Sequence, residues 1–312
     1  QISNPQVAGH WDFNRGNLSS SVGKPLTYLD GAGGVSETGT QYGAPVDFGI
    51  ADVPGATVDT PSKVMRVPGE LDRNIGYVMA HGISPNGGGT LVNQYTLIMD
   101  VYVETTGPGA ASLWQTSSTA NTDDGDLFWQ GNNFGQGGQG YNGTGEFTAG
   151  AWHRVAASYN MAATPPVVIK YVNGVFQDNW TANQGRDNPR RALQPTAILF
   201  GDGDQDERRQ WWVNSIQIRE GAMTGDQLAS LGKAQAAGIP LTLPDQSVPE
   251  LHFGRGQGSF LVEWRKDVTG WALQASPDLV TWTAVTGVTN NAALIATSPA
   301  APRWYYRLKR TP

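Results

Sequence analysis

Runs of apolar residues predict β-strands along most of the chain. Four segments rich in β-branched and aromatic residues are bounded by Gly, Asn, Asp or Pro, which is typical of strands that end in turns; they are TLIMDVYVE (96–104), HRVAASYN (153–160), VVIKYVNGVFQ (167–177) and WWVNSIQIRE (211–220). In the third segment, Asn173–Gly174 lies between two apolar runs and predicts a tight hairpin. The glycine-rich stretch 131–145 has little to bury, so we expect a loop there.

One short helix interrupts this pattern. In the segment TGDQLASLGKAQAAG (224–238), Thr224 and Gln227 have the spacing of a capping box. Leu228 then begins the apolar face that we expect to pack on the core, and Gly238 provides a stop signal. A single helix after about a dozen strands predicts an all-β fold with a helical tail on its first domain.

A proline-rich stretch predicts a boundary between two domains. We place the first domain at 1–243, a linker at 244–249, and a small β-sandwich-like module at 250–312. The charge changes sign across the linker, because residues 249–312 carry seven lysines and arginines against four aspartates and glutamates, whereas residues 1–248 have a net charge of −9.

Composition narrows the class of protein. Only 15% of the 312 residues are charged, the net charge is −6, and there is no cysteine. The negative charge argues against nucleic-acid binding, which favours a basic surface, and no apolar run approaches the ~20 residues that span a bilayer. Low charge with many Gly, Asn, Thr and Trp residues is usual for extracellular β proteins. We therefore expect a secreted or cell-surface protein whose signal peptide has been removed, without membrane insertion.

Several motifs in their order along the chain resemble the laminin G-like, concanavalin A-like family, and within it a branch of bacterial secreted proteins. The resemblance covers roughly residues 5–243 and rests on VAGHWDFNRGNLSSSVG, TLIMDVYVE, AGAWHRVAASYN with VIKYVNGV, and VNSIQIREGAMTGDQLASLG. It implies a jelly roll of two packed antiparallel sheets that binds carbohydrate or protein, often with calcium. The tail, WALQASPDLVTWTAVTGV through RWYYRLKR, resembles small C-terminal β modules of secreted bacterial proteins.

Two acidic segments are candidate calcium ligands, since Ca²⁺ takes six to eight oxygen atoms. The sequence GDGDQDE places Asp202, Asp204 and Asp206 after a predicted strand, and NTDDGDLFW places Asp124 and Asp126 before another. Each segment has a simpler interpretation. The first could be a solvated turn neutralised by neighbouring arginines, and the second could be a hairpin turn with glycine at positive φ. If both acidic segments met at one end of the sandwich, a calcium site would be favoured over two separate turns.

Aromatic residues and one histidine are candidate ligand contacts. Trp114, Trp129 and Tyr141 flank the glycine-rich stretch and could stack on the apolar C–H faces of sugar rings. Trp212 follows Trp211, so on a strand one of the two points outward. His81 begins a glycine-containing loop that a ligand could approach closely. Packing in the core or at its rim is the competing interpretation for the tryptophans and the tyrosine.

Catalysis on the same scaffold is the rival hypothesis. A retaining glycosidase needs two carboxyl groups roughly 5–5.5 Å apart, whereas four strand residues separate the backbones of Asp100 and Glu104 by about 13 Å; we interpret Asp100 as a structural hydrogen-bonding residue. A lyase would use a Tyr/His pair, for which Tyr77 and His81 are the candidates. No Gly-x-Ser-x-Gly motif is present.

The sequence therefore predicts a non-catalytic module that recognises a polysaccharide or a surface protein, with a calcium-ordered loop. A polysaccharide hydrolase or lyase is the first alternative. The second is a self-associating adhesion or structural subunit, since the acidic first domain and the basic module could meet head to tail.

Overall fold

The described part of the chain divides into two compact units, Gln1–Leu243 and Pro244–Pro312. The structure is a computed structural model. It describes residues 5–57, 62–69, 75–104, 109–119, 127–136, 139–181, 185–201, 207, 209–243, 249, 251–256, 259–264, 270–289, 291–296 and 303–310.

The first unit consists of antiparallel strands, as the apolar pattern predicts. In chain order they are β1 (Gln6–Trp11), β2 (Thr27–Tyr28), β3 (Gln41–Gly43), β4 (Val64–Val67), β5 (Tyr77–Met79), β6 (Gln94–Val103), β7 (Ala111–Gln115), β8 (Leu127–Gln130), β9 (Asn133–Gly135), β10 (Trp152–Asn160), β11 (Val167–Val172), β12 (Val175–Thr181), β13 (Ala197–Leu199) and β14 (Trp211–Glu220). An eight-stranded sheet has the order β12-β11-β10-β6-β14-β4-β3, with β1 also paired to β14, and a six-stranded sheet has the order β2-β5-β13-β7-β8-β9.

The two sheets pack face to face around one apolar core. Alternate residues of the central strand β6, such as Leu97, Met99 and Val101, point into this core and are almost fully buried. Strand β7 of the smaller sheet contributes Leu113 and Trp114 from the opposite side. The prediction of an all-β sandwich is confirmed. In the described part of the chain, no helix has the length and apolar character needed to span a bilayer.

The exterior face of the larger sheet is also buried. Helix α2 (Gly225–Ser230) and the chain that follows it cover Ile98 and Ala156, with Leu228 and Ile239 packed against them. Further along the same face, the 3-10 turn Pro45–Phe48 leads into a segment whose Ile50 and Val53 pack on Tyr102, Trp152 and Trp212. Both faces of this sheet therefore lie against apolar side chains.

Buried charges fasten the covering segment to the sheet. Arg154 of β10 forms a two-bonded ion pair with Asp100 of β6, with both N···O distances 2.7 Å. The same guanidinium donates to the carbonyls of Leu231 and Gly238, at 2.6 and 2.9 Å. Arg219 of β14 similarly donates to the carbonyls of Pro5, Pro240 and Leu241.

Helix α2 begins as predicted but ends early. Thr224 accepts from the Gln227 backbone and the Gln227 side chain accepts from the Thr224 backbone, so the capping box is formed. The helix stops at Ser230, not near Gly238 as expected, because Gly232 takes φ 62° and Arg154 binds the carbonyl of Leu231. A second short helix, α1 (Val35–Gly39), has no counterpart in the prediction.

The second unit contains two small antiparallel sheets. Its strands are β15 (His252–Gly256), β16 (Ser259–Glu263), β17 (Trp271–Ser276), β18 (Thr283–Ala284), β19 (Ala292–Ala296) and β20 (Tyr305–Arg310), in the orders β15-β16-β19 and β18-β17-β20. Val262, Trp264, Leu273 and Ala293 form its buried core.

Candidate functional site

The predicted calcium ligands lie outside the described residues. This applies to Asp202, Asp204 and Asp206 as well as to Asp124 and Asp126. Described residues that flank both acidic segments lie beside β7: Ser112 donates from its backbone to the carbonyl of Glu207 and from its hydroxyl to the carbonyl of Gly201, and Trp114 pairs with Leu127. Elsewhere in the described chain, no three His, Cys, Asp or Glu side chains are grouped closely enough to hold a metal.

The candidate tryptophans are core residues in the structure. Trp114 and Trp129 point between the sheets, and the indole of Trp129 donates to the carbonyl of Phe147 at 2.7 Å. Trp211 and Trp212 do face opposite sides of β14, but Trp212 is only 2% exposed. Its ring meets that of Tyr102 edge-on, beneath the segment that covers the larger sheet. The three candidates, Trp114, Trp129 and Trp212, therefore pack the fold and do not offer a ring face to a ligand.

Tyr141 is half-buried in the glycine-rich stretch, which is ordered by a buried cation. Lys170 of β11 points toward the core and donates to the carbonyls of Phe134 and Asn142, at 2.7 and 3.0 Å. Its ammonium also lies 4.8 Å from the ring centroid of Trp180. Burial lowers the pKa of Lys170 to about 8, with Asp178 acting in the opposite direction. In the sequence this lysine is the single charge in the apolar run VVIKYV, and that isolated charge is the signal that marks it.

His81 is buried, and both ring nitrogens have partners. Nδ1 accepts from the backbone N–H of Ile83 at 3.0 Å, and Nε2 lies 2.6 Å from the carbonyl of Gln194. Because one nitrogen accepts and the other faces a carbonyl, the neutral ring with hydrogen on Nε2 satisfies both contacts. Burial lowers the pKa of His81, partly offset by the bond to Gln194. His81 thus joins two loops at one end of the sandwich.

These two loops form the wall of an open cavity of about 380 Å³. Its lining combines a cation, hydroxyl groups and apolar surface, and consists of Lys24, Ala80, His81, Gly82, Ile83, Ser84, Pro85, Thr90, Leu91, Val92, Leu193 and Pro195. Lys24, Ser84, Thr90 and Pro195 are exposed, so their side chains are open to solvent. The volume falls within the ~300–1,000 Å³ of typical small-molecule sites. Of the five predicted ligand contacts, only His81 lies here.

Asp187 fixes the loop on one side of the cavity. Its carboxylate accepts from the backbone N–H groups of Thr90 and Leu91, all at 2.9 Å, and from the Asn93 side chain at 2.9 Å. The hydrogen bonds from Asn93 and then from these backbone groups lower the pKa of Asp187 to about 2. A Cβ on Gly89 would lie 2.3 Å from this carboxylate, so the glycine run 87–89 permits the close approach.

The described residues form neither of the two catalytic arrangements that the sequence raises as alternatives. Asp100 is fully buried and committed to Arg154, so it cannot serve as a glycosidase carboxylate. The hydroxyl of Tyr77 is buried 2.6 Å from Thr40 Oγ1, whereas His81 contacts Ile83 and Gln194. The Asp100 interpretation as a structural residue is confirmed.

The described walls of the cavity offer one exposed cation and hydroxyl groups, but no pair of carboxylates. No carboxylate is among the lining residues that the structure describes, and the one imidazole already bonds through both nitrogens. Lys24 remains as an exposed cation at the rim. Hydrolysis of a glycosidic bond commonly uses an acid and a second carboxylate, and the described lining supplies neither.

Neither a protein-family model nor a curated protein sequence matches the chain. Among solved structures, domain 4 of a GH43 extracellular arabinanase from Geobacillus stearothermophilus, in complex with arabinotriose, is similar at 18% identity and a TM-score of 0.46, over 74% of this chain and 100% of that domain. The binding domain of botulinum neurotoxin serotype D is similar at 8% identity and a TM-score of 0.43, over 90% of this chain and 69% of that domain. The sialidase CBM40 of Ruminococcus gnavus, bound to alpha2,3-sialyllactose, is similar at 13% identity and a TM-score of 0.34, over 46% and 84%. The β-sandwich assignment rests on the strand pairing of this chain itself.

Proposed function

We propose that the chain is a non-catalytic binding module whose first unit holds a glycan in the cavity beside His81. One observation carries this proposal. The exterior face of the larger sheet, where a groove for a long substrate could lie, is covered over its central strands by the segment that Arg154 and Arg219 hold down. The open concave surface is instead made by loops at one end of the sandwich.

The lining suits a sugar ring. Pro85 and Pro195 present flat apolar surface, and Ser84 presents a hydroxyl group that can bond to a sugar hydroxyl. The Thr90 hydroxyl donates to Asp187 at 3.1 Å, so toward a sugar it can act only as an acceptor. Lys24 adds a positive charge that would favour a sugar bearing a carboxylate. The loops are pinned by His81 and Asp187, so little ordering would be required when a ligand binds.

The finer parts of this proposal rest on the sequence resemblance. They are a laminin G-like identity for the first unit, a bacterial secreted protein as its source, and calcium ordering of the loops that carry Asp202, Asp204 and Asp206. Three carboxylates at alternate positions repel one another unless a cation or the nearby arginines balance them. If no glycan binds, the remaining candidate partners of this module are another protein and a second copy of the chain.

The test is a glycan array with the full chain, followed by calorimetry on the best-bound oligosaccharide. Ser84→Trp should fill the cavity and weaken binding by roughly tenfold or more, and Lys24→Gln should weaken it several-fold. Lys233→Gln is the matched control, because Lys233 is an exposed lysine of the same unit outside the cavity lining. Unchanged affinity in both cavity variants would place the ligand elsewhere.

A further inference from the structure

The solvent face of one sheet in the second unit carries a row of aromatic and basic side chains. In the sheet β18-β17-β20, Leu273 and Leu308 face the core of this unit. Strand alternation therefore turns Tyr305, Arg307 and Lys309 of β20 to the opposite face, and all three are exposed. We call these three residues the β20 row.

Arg307 is held in place by two neighbours. Its guanidinium carbon lies 4.0 Å from the ring centroid of Trp282. Its Nε donates to the side-chain oxygen of Gln274, directly across the β17–β20 pair, at 3.0 Å. Trp282 is itself fixed, since its indole donates to the carbonyl of Leu279 at 3.1 Å. Among the described residues, Arg307 has no carboxylate partner.

This geometry leaves the outer edge of the guanidinium available to an anion. Nε is the guanidinium nitrogen that bonds to Gln274, and the Nη1–Nη2 edge of a guanidinium can bind a carboxylate through two parallel hydrogen bonds. Lys309 lies two strand residues away, at roughly 7 Å, and supplies a second positive charge. Tyr305, 38% exposed, places an apolar ring on the other side of Arg307.

We propose that the β20 row binds a carboxylated polysaccharide, a chain of uronate sugars. Such a sugar has an apolar C–H face and a carboxylate on the same ring, which match Tyr305 and the Arg307 fork. Positive charge is general to this unit, since residues 249–312 carry seven basic against four acidic residues.

The size of the row favours a linear polymer over a second copy of the chain. The row is about 13 Å long and its sheet about 10 Å wide, from the strand rise and spacing. That area is far below the ~800 Å² that each partner of a stable protein interface buries. This inference is independent of the cavity beside His81, because it concerns residues of the other unit.

The experiment measures binding of hexagalacturonate by calorimetry to the full chain and to its Ser84→Trp variant, whose filled cavity removes the competing site beside Lys24, with the fully methyl-esterified form as the uncharged probe. We expect saturable binding of the acid, weaker binding as salt rises, and no detectable binding of the ester. Arg307→Gln should reduce affinity roughly tenfold or more. Arg307→Lys, which keeps the charge but loses the fork, should recover only part of it.

Arg310→Gln is the matched control, because Arg310 lies on the same strand but alternates to the other face. We expect its affinity to stay within about twofold of the unaltered chain. Equal losses in the Arg307 and Arg310 variants would overturn the proposal in favour of diffuse charge attraction. Absence of binding to the acid would also overturn it, as would a dimer in sedimentation that Arg307→Gln dissociates. Ser84→Trp should leave hexagalacturonate affinity at the β20 row unchanged, so the two proposals fail separately.

Discussion

At the scale of single residues, charged side chains in this protein are structural where they are buried. Four charged residues within strands, Asp100, Arg154, Lys170 and Arg219, are almost inaccessible to solvent. Each is surrounded by carbonyls or an opposite charge, as burial of an ion requires. They join segments that are distant in sequence, and this is how the sheet is sealed.

Loss of one member of the buried ion pair should be costly. Asp100→Asn leaves Arg154 charged and buried without its partner, so we expect a loss of about 3–5 kcal/mol in the unfolding free energy of the first unit. Urea unfolding followed by tryptophan fluorescence measures it. Asp52→Asn, the same chemical change at an exposed aspartate, should stay within about 0.5 kcal/mol. Equal effects in the two variants would mean that the ion pair is not a stabilising element.

Lys170 should give the first unit a specific pH dependence. Its pKa is about 8 in the folded chain, below its ordinary value of 10.5. Between these values the unfolded chain binds more protons than the folded chain, so stability rises with pH and the cost of burying the cation is relieved. The unfolding free energy of the unaltered chain, minus that of Lys170→Met, should therefore increase from pH 8 to 10.5. A constant difference over this range would contradict the buried cation. Lys233→Met serves as the control and should give no such slope.

At the scale of elements, the sequence pattern predicted the strands of the larger sheet, but it did not predict the segments that cover the outer face of that sheet. The predicted segments 96–104, 153–160 and 211–220 nearly coincide with β6, β10 and β14 because their apolar residues are continuous. Asn173 and Gly174 take φ 54° and 77°, the left-handed turn that the Asn-Gly pair indicates. Alternation correctly placed Trp211 and Trp212 on opposite faces.

Alternation could not show whether the outward face is covered. That depends on Ala234 and Ile239, which fold back from beyond α2, and on carbonyls fixed by Arg154. These are contacts between residues far apart in sequence, and they leave no periodic signal. The sequence signal for the buried network is a single charged residue within an apolar strand. Of the four buried charges, Asp100 is the one that the sequence predicts to be structural.

A substitution at Trp212 distinguishes a packing role for this ring from a role in ligand binding. Trp212→Leu should lower the unfolding free energy by about 2–4 kcal/mol, since it removes a large buried ring from beneath the covering segment. Its glycan affinity, measured at a temperature where the variant is fully folded, should equal that of the unaltered chain. A stable variant with reduced affinity would show that this ring reaches the ligand.

At the scale of the whole molecule, two β units carry separate candidate binding surfaces. The first unit places a loop-lined cavity at one end of its sandwich, and the second unit exposes the β20 row. The cavity was out of reach of sequence patterns because its walls come from 80–85, 90–92 and 193–195, together with Lys24. Only the glycine-containing loop after His81 indicated it.

Calcium should act on the first unit if its acidic loops bind metal. At a concentration 100-fold above its dissociation constant, the ion should stabilise the fold by roughly 2.7 kcal/mol. Thermal melting with calcium and with a chelator measures this, and the triple variant Asp202→Asn, Asp204→Asn, Asp206→Asn should melt equally in both. Identical melting of the unaltered chain in calcium and in chelator would remove the metal proposal.

We propose that the first unit recognises a glycan without changing it chemically. The most direct measurement is prolonged incubation of the full chain with the oligosaccharide that it binds best on a glycan array, followed by calorimetry and mass spectrometry on the same sample. For a non-catalytic binding site in the cavity beside His81, we predict saturable binding and an oligosaccharide of unchanged mass. The described walls of this cavity have no pair of carboxylates. Shortened or unsaturated products that disappear in Ser84→Trp would contradict it and establish an enzyme at this site.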